Sequence, residues 1–163
     1  MENDELDLGP RKKIAEALAR NLLQDVGLSK APVSLSRVIS HVQTVRSLTV
    51  LKTVLTENLS GLLVIEDEHA TIGFNENNPW CRQRFTIAHE IGHLFLGHTC
   101  NNDVDGAHNE KEAHLFAAEL LIPTSFLKKD FKKMRSIPDL ARLYRVSEQA
   151  MSIKLMTAKL LMK

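Results

Sequence analysis

Arg84-Phe85-Thr86-Ile87-Ala88-His89-Glu90-Ile91-Gly92-His93-Leu94-Phe95-Leu96-Gly97 is the stretch on which the reading of this chain turns. Two histidines four residues apart lie one above the other on a helix face. In that arrangement both imidazoles can hold one zinc ion. Glu90 is turned by about 100° from His89, so its carboxylate falls beside the metal rather than on it. There it can take a proton from a water that zinc has acidified to a pKa of about 7. That is the chemistry of zinc-dependent peptide hydrolysis, with Zn2+ the expected cofactor and Glu90 the expected catalytic base.

A chain with 7 histidines throws up His-Glu-x-x-His by chance with a probability of about 0.02, so the flanks matter. Both are mostly apolar, and Gly97 is a natural stop, as a buried helix with a C-cap requires. Asn78-Pro79 reads as its start, with Asn78 as N-cap and Pro79 at the first helical position. Two histidines and a glutamate buried in such a helix need partners. The competing reading, two satisfied core histidines, leaves that cost unanswered without a metal.

A catalytic zinc site needs a third protein ligand. The next polar cluster, Asn109-Glu110-Lys111-Glu112-Ala113-His114, opens a helix that runs on through Leu121. Glu110, Ala113 and Ala117 share one face, and the small alanines, with Gly92 opposite, let the two helices approach closely. Glu110 is therefore expected to join His89 and His93 on the metal. Glu112 is the competitor, on the face of Phe116 and Glu119. His114 reads either as a group that orients Glu110 or as a surface histidine. His98, about 140° around the helix from His93, reads as a helix-end cation.

The two segments together, Arg84 to His93 and then Glu110-x-x-Ala113-x-x-Phe116-Ala117-x-x-Leu120-Leu121-x-Pro123, resemble the ImmA/IrrE family of zincin metallopeptidases. The resemblance spans roughly residues 12 to 125. It implies His89, His93 and Glu110 as metal ligands, Glu90 as base, a cytoplasmic bacterial or phage protein, and a helix-turn-helix transcriptional repressor as the protein substrate. One position departs from the pattern: His114 stands where Asn or Asp is usual. Many members of the family also carry a DNA-binding domain at the N-terminus, for which this chain has no room.

Length and composition fit a soluble globular protein. The chain has 163 residues, 44% of them hydrophobic and 25% charged, with a net charge of +1, enough for one real core. No apolar run is long enough to span a membrane. The acidic start Met1-Glu2-Asn3-Asp4-Glu5 is no signal peptide. Cys81 and Cys100 flank the zinc helix and would be held about 28 Å apart by it, too far for a disulfide. A reduced, cytoplasmic protein is expected.

The remaining elements give an α+β fold: a small β-sheet flanked by helices, with a helical C-terminal half. Residues 1–8 read as a disordered tail and Pro10 to Val26 as a helix with Ile14, Leu18, Leu22 and Val26 facing inward. Ser34 caps a second helix through Val42, and Val45 to Leu55 reads as a strand. Leu62–Ile65 and Ala70–Phe74 form a hairpin whose edge could bind an extended peptide. The zincin-like core is expected over residues 1–125, with residues 126–163 a helical extension packed on it. That extension holds 10 Lys/Arg against 3 Asp/Glu, whereas residues 1–125 hold 11 against 17. Asp139 to Met151 looks like a helix–turn–helix, which could bind DNA but is expected to be structural. A non-proteolytic binding protein on the same scaffold is the alternative function. Oligomeric state is not legible, and Tyr144, His69 and His108 are candidates to stabilise an oxyanion.

Overall fold

In a computed structural model, residues 10–98 and 106–161 are described. The elements run α1 (Lys12–Val26), α2 (Leu35–Val45), β1 (Ser47–Thr53), β2 (Gly61–Glu66), β3 (His69–Asn75), α3 (Trp80–Leu96), α4 (Gly106–Leu121), α5 (Thr124–Lys133), α6 (Ile137–Tyr144) and α7 (Glu148–Thr157). The fold is α+β and mostly helical, with one three-stranded sheet among the described residues. The expected disordered tail and Cys100 lie outside the described residues, and Cys81 is an unpaired thiol on α3.

The first two helices follow their caps. Gly27 takes the left-handed conformation (φ 72°), and the amide of Leu28 reaches back to the carbonyl of Leu23, a glycine-terminated end. The Ser34 side chain accepts from the amide of Arg37 at the start of α2. The inward face of α1 differs from the expected stripe. Ala15, Ala19, Leu22 and Leu23 are buried, while Ile14 is half exposed. The helix is rolled so that its alanines meet α4, where a short side chain permits close packing. Val45 closes α2 rather than opening β1, because the strand pairing begins at Ser47.

The sheet order is β1-β3-β2, with β1 parallel and β2 antiparallel to β3. The β2–β3 hairpin turns on Asp67 and Glu68, both at positive φ (50° and 72°), as a two-residue turn matched to strand twist requires. The sheet lies against α3 through its buried face, Ala70 and Ile72. Gly61 is the tightest point. A Cβ there would overlap Thr86 Cγ2 on α3 and press on the carbonyl of Gly73, so only glycine lets β2 begin directly against that helix.

α3 packs most extensively on α4. Ala113 and Ala117 are fully buried, and a Cβ on Gly92 would stand 3.0 Å from Phe116 Cδ1 and 3.1 Å from the Ala113 carbonyl. Small residues on both helices thus set the spacing that brings their polar faces together. α3 starts one residue later than expected, with Pro79 as N-cap and no side-chain cap. Asn75 takes the local role instead, its Oδ1 accepting from the Asn77 amide. The C-terminal helices join the same core through Leu127, Leu140, Tyr144, Met151 and Leu155. Among the described residues no helix is long and apolar enough to cross a membrane.

Candidate metal centre and cleft

An open cleft of about 750 Å³ lies between the start of β2, one face of α3 and the first turns of α4. On α3 the residues facing it are Arg82, Phe85, Thr86, His89, Glu90 and His93, the i, i+3, i+4, i+7, i+8 and i+11 positions of a single stripe. The other side of the same helix carries Ile87, Ala88, Ile91 and Leu94 into the core. One amphipathic helix therefore supplies both the fold's centre and the floor of its cleft.

His89, His93 and Glu110 converge at this floor. His89 Nε2 and His93 Nε2 are 3.1 Å apart. Glu110 reaches across from α4 with Oε2 3.0 Å from His89 Nε2 and Oε1 3.0 Å from His93 Nε2. Three donor atoms with this spacing fit a tetrahedral metal. Bonds of about 2.0–2.1 Å to zinc put neighbouring donors about 3.3 Å apart. Two ring nitrogens and a carboxylate are also the donor set that zinc favours. Burial lowers the pKa of both histidines, that of His93 to about 4, so both rings are neutral and offer lone pairs at pH 7. Glu112, the competing carboxylate, does not reach this cluster. It is buried and bonded to Arg11 and His98.

Glu90 stands beside the cluster, 8% exposed. Burial, reinforced by the charge of Glu110, raises its carboxyl to about 7. A group poised near neutrality can take up or give up a proton with little driving force against it. Gly61 matters here too: the position of its missing Cβ is 3.5 Å from Glu90 Oε1. The strand edge Ser60–Leu63 thus borders the same carboxylate.

The structure corrects several expectations for the surrounding residues. His98 is not a solvated helix-end cation. Gly97 adopts the left-handed conformation (φ 69°) and turns the chain back. His98 is then 6% exposed, with Nδ1 2.8 Å from His93 Nδ1 and Nε2 2.9 Å from Glu112 Oε2. His114 lines the cleft with its ring tilted against that of Phe85 at 4.8 Å and 6.5 Å from that of His89. Tyr144 is fully buried and donates to Asp130 Oδ2 at 2.6 Å. It cannot meet a substrate. His69 is bonded to Ser47 and Thr49 across the β1–β3 pair. Neither it nor His108 is in the cleft wall.

Arg82 and Asn109 are cleft residues that the motif reading passed over. Arg82 Nε donates to Ser60 Oγ at 2.9 Å, tying α3 to the strand edge. Its position seven residues before His89 already put it on the metal-facing stripe.

Residues 45–156 match a peptidase family model described as the IrrE N-terminal-like domain. The match runs on through α5 and α6 and most of α7, beyond the span 12–125 on which the resemblance in sequence was read. Among solved structures, a Mycobacterium tuberculosis transcriptional regulator has the same fold, with a TM-score of 0.68 at 12% identity. The similarity covers 85% of this chain but 45% of that one, so the chain spans just under half of the regulator's length. No curated protein matches the sequence.

Proposed function

The chain belongs to the IrrE N-terminal-like peptidase family, and from that premise we propose that it is a zinc-dependent endopeptidase acting on a protein substrate, a helix-turn-helix transcriptional repressor in bacterial or phage gene regulation. The observation that carries this reading is the convergence of His89, His93 and Glu110 at 3.0–3.1 Å with a buried Glu90 alongside.

His89, His93 and Glu110 would hold the zinc ion. With three protein ligands and an open position, zinc supplies Lewis-acid activation of a peptide carbonyl and of water. Glu90 receives the proton of the attacking water and delivers it to the leaving amine, a role suited to a carboxyl raised to about 7. β2 is the outer strand of the sheet on this side, and an extended peptide can add along its open edge as a further strand. Arg82, at the mouth of the cleft, can donate hydrogen bonds from its remaining guanidinium N–H groups to a substrate carbonyl or carboxylate. The cytoplasm is the compartment that such a substrate requires.

Direct DNA reading is the less supported function. The second helix of the helix–turn–helix-like pair, α7, turns Glu148, Gln149, Ile153 and Met156 to solvent, and its Lys154 is buried on Glu119. Gln149 is the one amide or basic side chain that α7 turns outward, whereas a recognition helix needs several, arginine or lysine among them. Residues 126–163 are better read as a packed extension of the peptidase core. The test is co-expression with a helix-turn-helix repressor, taken from the neighbouring gene where that gene encodes one. A discrete repressor fragment is expected, absent when Glu90→Gln is co-expressed. An intact repressor whose operator is nonetheless released would favour a contact-only regulator.

A further inference from the structure

The hydrogen bonds behind His93 run in one direction. Arg11 Nη2 lies 2.9 Å from Glu112 Oε2, Arg11 Nε lies 3.2 Å from both carboxylate oxygens, and the Arg11 amide donates to Oε1 at 2.7 Å. A carboxylate gripped in this way is ionised and can only accept. His98 Nε2, 2.9 Å from Glu112 Oε2, must then carry a proton. His93 Nδ1 lies 2.8 Å from His98 Nδ1. With its Nε2, the atom that faces His89 and Glu110, given to a metal, His93 can only donate from Nδ1, and His98 Nδ1 accepts.

We infer that Arg11, Glu112 and His98 form a hydrogen-bonded chain that fixes the tautomer and ring orientation of His93 for metal binding, with His98 and Glu112 as positioning residues. The inference rests on the reading of His93 as a metal ligand. Gly97 folds the chain back, the His98 amide caps the carbonyl of His93, and the His98 ring returns onto the histidine five residues earlier. Arg11 enters from the far side just before α1 and also reaches the carbonyl of Leu96. Three separate segments thus meet behind one ligand. A negative charge relayed through such a chain makes the ligating nitrogen a better donor, and partners of this kind are worth about 10–100-fold in metal affinity.

Two measurements on the full chain test this. In the first, nitrogen-15 NMR of the histidine rings is recorded on zinc-loaded protein at neutral pH. His93 is expected to carry its proton on Nδ1 and His98 on Nε2 alone; a proton on His98 Nδ1 overturns the inference. In the second, zinc affinity is measured by chelator competition for the wild type, His98→Ala, His98→Gln and His93→Ala. A glutamine amide offers both an acceptor and a donor, so His98→Gln is expected to stay within about threefold of wild type, and His98→Ala to lose about 10–100-fold. Wild-type affinity in His98→Ala, or equal losses in both His98 variants, overturns the chain. His93→Ala separates the two levels. If it too binds zinc normally, the ligand assignment itself fails; if it alone loses zinc, only the positioning role does.

Discussion

Lys154 Nζ donates to Glu119 Oε2 at 2.6 Å, with both side chains withdrawn from solvent. This pair ties α7 to α4, the helix that carries Glu110. Glu119 also accepts from the hydroxyl and amide of Thr124, and Arg20 stands 3.5 Å away. Removing one partner of a buried pair leaves an uncompensated charge and costs about 3–5 kcal/mol. Lys154→Ala should therefore lower the urea midpoint strongly, toward the lower end of that range because Arg20 remains. A variant as stable as wild type would show that the pair does not hold α7.

Gly92→Ala tests the helix spacing that assembles the metal ligands. A Cβ at this position would meet Phe116 Cδ1 at 3.0 Å and a backbone carbonyl at 3.1 Å. Neither can yield without moving α4. Overpacking of this kind costs about 1–3 kcal/mol, and the displaced helix carries Glu110. Both thermal stability and zinc affinity are expected to fall. Loss of stability with wild-type zinc affinity would mean that Glu110 tolerates the shift.

Glu90 gives a pH signature. In the metal-free protein its carboxyl is raised by burial, then by Glu110, from 4.5 to about 7. The folded state therefore keeps a proton that the unfolded chain releases between pH 4.5 and 7. Stability falls as pH rises through that window. Glu90→Gln buries no charge, so with chelator present it should melt higher than wild type at pH 8 and at nearly the same temperature at pH 4. Equal melting temperatures at both pH values would contradict the burial argument.

The two carboxylates at the start of α4 should separate cleanly. Glu110 is 65% exposed and its carboxylate bonds the histidine pair, so Glu110→Ala is expected to lose zinc and keep the fold. Glu112 is 4% exposed and holds Arg11 and His98. Burial opposes its ionisation, but the side-chain and backbone bonds from Arg11, then His98, outweigh it and bring its carboxyl to about 2. Its stabilisation is present above the ordinary carboxyl range and is lost as pH falls toward 2. Glu112→Ala should lower the melting temperature at pH 7, with a smaller difference at pH 2–3. Circular dichroism and zinc titration of the same samples distinguish the two variants.

The metal-facing stripe was legible because helix periodicity alone places His89, Glu90 and His93, and because alanine spacing on the next helix selects Glu110. The α+β fold followed from the hairpin and the capped helices. What lay beyond the sequence depended on tertiary return of the chain. His98 counts as off-face on an ideal helix, and only the left-handed turn at Gly97 brings it back onto His93. Arg11 and Glu112 are 101 residues apart, with no local pattern to pair them. Tyr144 is an oxyanion candidate by residue type alone, and no local pattern shows that its hydroxyl is taken by Asp130 of α5. On α1 the expected Leu18, Leu22 and Val26 do pack on the core, and only Ile14 falls outside it, because Ala15 and Ala19 share the inward face and no hydrophobic count favours alanines.

The most direct test of the account is cleavage of one repressor by zinc-loaded wild type and zinc-loaded Glu90→Gln, with zinc content measured in both samples. The account expects one zinc per chain in each, a repressor fragment from the wild type alone, and loss of that fragment when chelator is added. A Glu90→Gln protein that holds zinc and still cuts the repressor would contradict the role given to Glu90. A wild type that cuts equally well without zinc would contradict the metal centre itself.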